Sequence, residues 1–153
     1  MTEWFECKVK YDKTMEDGLI KTTTASYLVD AISFTEAEKR FIEEMEPFMT
    51  GEFVVTDTKR ARLAEVQESD DLTDDKWFKA RVAYISFDDK KNVEKRAIQS
   101  ILVQAKDFRV ALKNLDKGMR GTLGDWEIVS ITETKIVDIF KATPNEEPLA
   151  DNQ

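Results

Sequence analysis

The residue types that enzymes use most are scarce in this chain. Its 153 residues include no histidine and a single cysteine, Cys7. Histidine is the commonest general base and metal ligand, and a Cys–His nucleophile cannot be assembled without it. One cysteine excludes an internal disulfide and a zinc site built from several thiolates. The sequence also lacks a glycine-rich phosphate loop and a dinucleotide fingerprint. We therefore expect no enzymatic activity, no bound metal and no cofactor.

The clearest basic motif is the run Lys59-Arg60-Ala61-Arg62. In a strand, Arg60 and Arg62 would share one face, from which they could contact nucleic-acid phosphates. The formal net charge of −8 opposes this interpretation, because an acidic surface repels polyanions. We favour a solvated strand face, and we keep a nucleic-acid contact through Lys59, Arg60 and Arg62 as the alternative.

An acidic segment, ESDDLTDD (68–75), carries four aspartates: Asp70, Asp71, Asp74 and Asp75. Their spacing lacks the Asp-x-Asp-x-Asp-Gly frame of a calcium loop and its distal glutamate. The segment also has no hydrophobic periodicity. We interpret it as a flexible acidic linker rather than a cation site.

Two tryptophans, Trp4 and Trp77, each precede a phenylalanine in a strand-like pattern. If that phenylalanine faces the core, alternation places the tryptophan on the opposite face, with Lys8 or Arg81 further along. Tryptophan and arginine are enriched at the centres of protein interfaces. Trp4, Lys8, Trp77 and Arg81 are therefore candidate interface residues. The alternative is that the tryptophans cover strand ends, since tryptophan is usually well buried.

These residues belong to segments that occur twice. WFECKVKY (4–11) returns as WFKARVAY (77–84), and YLVDAISFTEA (27–37) returns as ILVQAKDFRVA (101–111). GEFVV (51–55) is matched by GDWEI (124–128). The spacing between copies is nearly constant, and the copies follow in the same order. This order predicts a duplicated unit of about 70 residues.

Each unit is predicted to run strand, strand, helix, long strand. Alternation around Cys7 indicates a half-buried strand with the thiol on the core side. Ser33 and Asp107 are suited to cap the two helices, and Glu36 completes a capping box with Ser33. The last strands, about 53–66 and 126–140, exceed the usual length of about 5–6 residues. We expect them to bend or to change sheet midway.

The predicted fold class is α+β, with two tandem pseudo-symmetric ββαβ units, mostly antiparallel sheet and one helix per unit. The expected division is a first unit at 1–67, an acidic linker at 68–75, a second unit at 76–140 and a disordered tail at 141–153, together forming one compact domain. The start MTEWFECK lacks the pattern of a secretory signal, and no apolar stretch has transmembrane length. We expect a reduced, cytoplasmic protein without membrane contacts.

WFECKVKY, YLVDAISFTEAE, GEFVVTDTKRAR and ILVQAKDF resemble an uncharacterised bacterial and phage family catalogued as domain of unknown function 4494. The resemblance extends from about Trp4 to Phe140. It implies a small intracellular or phage-borne protein and assigns no functional residues. We expect a non-enzymatic protein-binding or scaffolding module, phage- or prophage-related, that binds a protein partner or itself as a homo-oligomer. The alternatives are a nucleic-acid-binding accessory protein and a structural component of a phage virion.

Overall fold

The computed structural model describes residues 3–142, and the predicted tail lies outside them from residue 143 onward. Eleven elements are present in this part of the chain: β1 (Glu3–Thr14), β2 (Ile20–Ala31), α1 (Phe34–Met45), a 3-10 turn (Glu46–Phe48), β3 (Phe53–Ala61), β4 (Glu65–Gln67), β5 (Lys76–Asp88), β6 (Val93–Ala105), α2 (Phe108–Met119), β7 (Asp125–Glu133) and β8 (Ile136–Phe140). The predicted α+β class is confirmed. No helix among these residues has the length and apolar character needed to cross a membrane.

The described strands form two mixed sheets of four, with orders β3-β1-β2-β8 and β4-β6-β5-β7. Neighbours are antiparallel except β8 on β2 and β4 on β6, which are parallel. Contacts divide the described chain into two compact units, residues 3–61 with 136–142 and residues 62–135. The second unit is continuous in sequence and includes β4, which lies in the predicted first unit but pairs with β6. The first unit is discontinuous, because β8 follows the second unit in sequence and pairs with β2. The expected change of sheet within the last strands is confirmed.

In the first unit, α1 packs on one face of its sheet. Ser33 caps the helix, its hydroxyl accepting a hydrogen bond of 3.1 Å from the backbone N–H of Glu36. The Glu36 carboxylate reaches back to the N–H of Ile32 at 2.6 Å. Such caps contribute about 1 kcal/mol each. The buried core consists of Phe5, Cys7, Val9, Val29, Ala31, Ala37, Phe41 and Met45.

In the second unit, α2 packs in the same way. Its cap is Asp107, whose carboxylate accepts from the N–H of Val110 at 2.9 Å. The buried core residues are Phe78, Ala80, Val82, Ile101, Val103, Ala105, Ala111, Leu115 and Met119. Alternating apolar residues of the strands thus meet one apolar stripe of each helix, as the sequence pattern predicts.

The two units also share an irregularity. The register between β1 and β3 shifts between Lys8 and Val9, and that between β5 and β7 shifts at the matching position of the repeat, between Arg81 and Val82. Both shifts involve the strand at the edge of the sheet, where bulges bend the chain and discourage pairing with other strands. The units therefore match in element order, cap position and bulge position. The origin of this match in a duplication stays a prediction.

Candidate functional site

The residues of the predicted basic motif do not share one face of a strand. Strand β3 ends at Ala61, so Arg62 lies beyond it, in the other compact unit. Lys59 pairs in register with Glu6, and Arg60 pairs with Phe5, which places the two cations on opposite faces of β3. The Arg60 guanidinium is also engaged, with its Nε 2.6 Å from a carboxylate oxygen of Glu3. A nucleic-acid role for these residues stays a prediction.

The two tryptophans of the predicted interface differ in solvent exposure. Trp77 is only 2% exposed, whereas Trp4 is half-buried. The Trp77 carbonyl accepts hydrogen bonds from the backbone and hydroxyl of Thr134, at 2.9 and 2.8 Å. Trp77 thus offers almost no surface to a partner. Lys8 and Arg81 are exposed, and an interface through them and Trp4 stays a prediction.

The expectation of a flexible segment at 68–75 is corrected, because Asp74 anchors it. Asp74 is 5% exposed. Its carboxylate accepts hydrogen bonds from the Ser69 hydroxyl at 2.5 Å, the Lys106 N–H at 3.1 Å and the Asn114 amide at 3.4 Å. The spacing of the aspartates could not reveal that Asp74 is anchored, since its partners Lys106 and Asn114 lie far along the chain.

The other aspartates of this segment do not form a metal site. Within residues 3–142 no group of three or more acidic, cysteine or histidine side chains is arranged to hold a metal ion. Asp71 instead closes a local turn, accepting from the N–H of Thr73 at 2.9 Å and from its hydroxyl at 2.7 Å. These hydrogen bonds, the backbone one first, lower the pKa of the Asp71 carboxyl.

A polar cavity of about 790 Å³ lies beside this segment, between β4 and α2 in the second unit. Its wall mixes carboxylates with lysines. Asn114 bridges it, donating to the carbonyl of Gln104 at 2.9 Å. The buried Asp74 carboxylate and the half-buried Asn114 amide already bond to each other and to the backbone, so their hydrogen-bonding capacity is largely used within the fold.

Cys7 is fully buried, as predicted. Burial raises the pKa of its thiol to about 11, although a hydrogen bond with Thr58 acts in the opposite direction. A thiol with this pKa is protonated at neutral pH, and the thiolate is the reactive form. Cys7 therefore lacks both the charge and the access of a nucleophile.

The strongest candidate for a binding surface is a groove between α1 and β3 in the first unit, here called the acidic groove. It has a volume of about 690 Å³. A second depression of about 400 Å³ continues it along β3 to Thr58 and shares Glu38 and Val55 with it. The apolar side chains of the groove are Ile42, Met49, Phe53 and Val55, and its carboxylates are Glu38, Glu46 and Glu52.

The charge of this groove has one sign. Among the described residues, neither lysine nor arginine lines the two depressions, and Glu38 belongs to both. The apolar side chains Ile42, Phe53 and Val55 are half-buried in the groove. The side chain of Val54 points to the opposite face of the sheet, because Val54 pairs with Lys10. Sequence reasoning missed this groove, because the pattern of α1 alone predicts only a solvated face for its glutamates.

The signal that could have found the groove is a difference between the two repeats. When the helices are aligned at their caps, Ser33 on Asp107, Leu112 of α2 replaces Glu38 and Arg120 replaces Glu46. In the same alignment, Asp116 replaces the apolar Ile42. The chemistry of the acidic groove is thus confined to the first unit, although both units share the same elements.

Comparison with known proteins adds a family. A family model described as Domain of unknown function (DUF4494) matches residues 3–142. No curated protein matches the chain. The matched residues include both described helices, the strands of both sheets and the acidic groove, and the predicted resemblance is confirmed. The chain belongs to the DUF4494 family.

Proposed function

We propose that this protein is a non-enzymatic protein-binding module that holds a segment of a partner protein in the acidic groove. The observation that supports it is the apolar floor of the groove between α1 and the edge strand β3, which Ile42, Phe53 and Val55 form with half-buried side chains. Concave apolar surface of this kind favours a ligand that removes it from water, at about 25 cal/mol per Å² of apolar area.

The chemistry of the chain supports a role without catalysis. The single thiol is enclosed and protonated, and the chain has no histidine to activate a nucleophile. The buried carboxylate of Asp74 is committed to three hydrogen bonds. Binding therefore accounts for the groove with fewer requirements than catalysis does.

Site-specific photo-crosslinking tests this proposal. A benzophenone amino acid replaces Ile42 in the groove and, in a matched control, Asp116 at the corresponding position of α2. In cells at native expression, we expect one defined crosslinked protein from position 42 alone. Excess unlabelled protein should compete for it, and unlabelled protein with Ile42→Arg should not. Equal yields from the two positions, or full competition by Ile42→Arg, would overturn the proposal.

A second mode of contact is self-association, which corresponds to the scaffolding interpretation. The distal halves of both hairpins, residues 11–24 and 85–99, are here called the hairpin arms. Most of their residues are exposed, including Leu19 at 67% and Ile20 at 70%. Phe87 and Ile98 are exposed in the second arm. Apolar side chains grouped on projecting strands favour contact with another chain.

The cellular location, a relation to phages and nucleic-acid binding are still predictions. A cytoplasmic location and a role in a phage or prophage rest on the sequence and on the family resemblance. Nucleic-acid binding is the alternative function, and the pairing of Arg60 with Glu3 weighs against it. A structural role in a virion would require the self-association described for the hairpin arms.

A further inference from the structure

The acidic groove combines an apolar floor with carboxylates on both walls. Glu38 lies in α1 and Glu46 directly follows the last residue of that helix, which separates them by about 12 Å along the helix axis at the usual rise. Glu52 precedes β3 on the other wall. An occupant of the groove therefore meets negative charge on both sides of its apolar contact.

We infer that the partner segment is basic and apolar, with lysine or arginine on both sides of a buried apolar side chain. This inference rests on the proposed function, because it names the chemistry of the ligand for the same groove. Two unit charges about 4 Å apart attract by about 1 kcal/mol in water and by about 4 kcal/mol near a protein surface. The carboxylates therefore select the charge of the segment, while the floor of Ile42 and Phe53 supplies contact area.

The groove also limits the length and conformation of the segment. This wall runs from Gly51, just before β3, to Thr58 within it, about 23 Å at an extended rise per residue. An extended segment of about eight residues would span it at that rise. The register shift leaves Thr56 without a paired residue on β1, and such a bulge opposes continuous strand addition. Recognition therefore depends on side chains more than on backbone pairing.

The second unit would not take the same ligand. Arg120 stands at the position of Glu46, and Leu112 at that of Glu38. A cation placed there would meet like charge from Arg120. The inferred specificity thus predicts one basic-segment site per chain, located in the first unit.

Fluorescent synthetic peptides test the inference on the full chain. Three extended octapeptides share the same alternating valine and leucine residues and carry lysine, glutamine or glutamate at the other positions. By fluorescence anisotropy, we expect the lysine peptide to bind at least about tenfold more tightly than the glutamine peptide, about 1.4 kcal/mol, and the glutamate peptide to bind least. Added salt should reduce this preference.

Variants that neutralise carboxylates test whether the acidic groove causes the preference for the lysine peptide. Replacing Glu38 and Glu46 by glutamine should bring the affinity for the lysine peptide close to that for the glutamine peptide. Glu16→Gln in the first hairpin turn makes the same kind of charge change outside the groove and should leave the preference intact. An equal loss in Glu16→Gln would mean general attraction to an acidic protein and would overturn the inference.

The failures of the two proposals are distinguishable. If the three peptides bind equally well and compete with each other, the inference about charge is wrong and the groove remains a protein-binding site. If no peptide binds, the inference is also wrong. Crosslinking from position 42 then decides the proposed function. That function is wrong if position 42 captures no protein, or only proteins for which the Ile42→Arg variant competes as well as the unchanged protein.

Discussion

The guanidinium Nε of Arg60 lies 2.6 Å from a carboxylate oxygen of Glu3, and the same cation covers the ring of Phe34 at 5.1 Å. A cation held between a carboxylate and an aromatic face has little capacity left for a phosphate. The strongest basic motif of the sequence is thereby partly neutralised within the first unit. Because both charged groups are about half exposed, the pair itself contributes only about 0–1 kcal/mol to stability.

The first prediction concerns nucleic acid. We expect the double variant Arg60→Ala with Arg62→Ala to bind single-stranded RNA as weakly as the unchanged protein does at low salt. The physical reason is the net charge of −8 together with the engagement of Arg60. Fluorescence anisotropy over a salt series measures it. A tight, steeply salt-dependent affinity that disappears in the double variant would restore nucleic-acid binding as the function.

The second prediction concerns Asp74. Asp74→Ala leaves three donors at Ser69, Lys106 and Asn114 without their acceptor in a largely buried place. We expect a loss of about 2 to 4 kcal/mol in the free energy of unfolding, from urea denaturation. The neighbouring Asp75→Ala is the matched control, since Asp75 is exposed, and it should change stability by about 0.5 kcal/mol or less. Equal effects of the two would show that the segment at 68–75 is not anchored through Asp74.

The third prediction concerns alkaline pH. The thiol of Cys7 ionises near its ordinary pKa of 9.0 in the unfolded chain and at about 11 in the folded protein. Between these values the unfolded state has lost a proton that the folded state keeps, so stability falls as pH rises. The full loss is about 3 kcal/mol, at about 1.4 kcal/mol for each pKa unit. Stability below pH 9 should be independent of this group.

Cys7→Ala provides the comparison for this titration. Alanine occupies the corresponding buried position of the second unit, Ala80, so the substitution should be accepted by the fold. Burial also raises the pKa of Tyr27, which adds alkaline destabilisation to both proteins. The difference between their unfolding free energies therefore isolates the thiol. A difference that stays constant from pH 9 to 11 would mean that Cys7 is not enclosed.

Local signals in the sequence predicted much of this fold. Alternation marked the strands, and Ser33 and Asp107 marked the helix starts, because caps depend on residues within one turn. The exchange of β4 and β8 between sheets was only partly foreseen. Each exchange occupies two or three residues, such as 62–64 between β3 and β4, and depends on which strand edge is open. No local sequence pattern encodes which strand edge is open.

The candidate site was harder to predict than the fold. The acidic groove arises because α1 lies beside the edge strand β3, so that Glu38 and Val55 line one surface although they are distant in sequence. Helix periodicity placed the glutamates correctly on the solvent side of α1. It carried no information about the strand beside them. The burial of Asp74 was missed for the same reason, since its partners Lys106 and Asn114 lie far along the chain.

The fourth prediction concerns Gly118 near the end of α2. A Cβ at this position would lie 2.5 Å from Nε2 of the Gln67 side chain. Alanine usually stabilises a helix by about 1 kcal/mol over glycine, but here the end of Gln67 must move. We expect Gly118→Ala alone to change stability little and to stabilise by about 0.5 to 1 kcal/mol when Gln67→Ala is already present. Urea denaturation of the four proteins in this cycle measures it, and simple additivity would exclude the contact.

The fifth prediction concerns the hairpin arms. If exposed Leu19 and Ile20 drive self-association, replacing them with serine and threonine should lower the average mass at high concentration without lowering stability, because neither side chain is buried within the monomer. Sedimentation velocity over a concentration series measures the mass. A control is Thr22→Ser with Thr24→Ser, which changes two residues of the same hairpin arm and removes only one methyl group from each. A protein that remains monomeric at every concentration, before and after substitution, would exclude the arms as a self-assembly surface. It would leave the acidic groove as the basis for protein contacts.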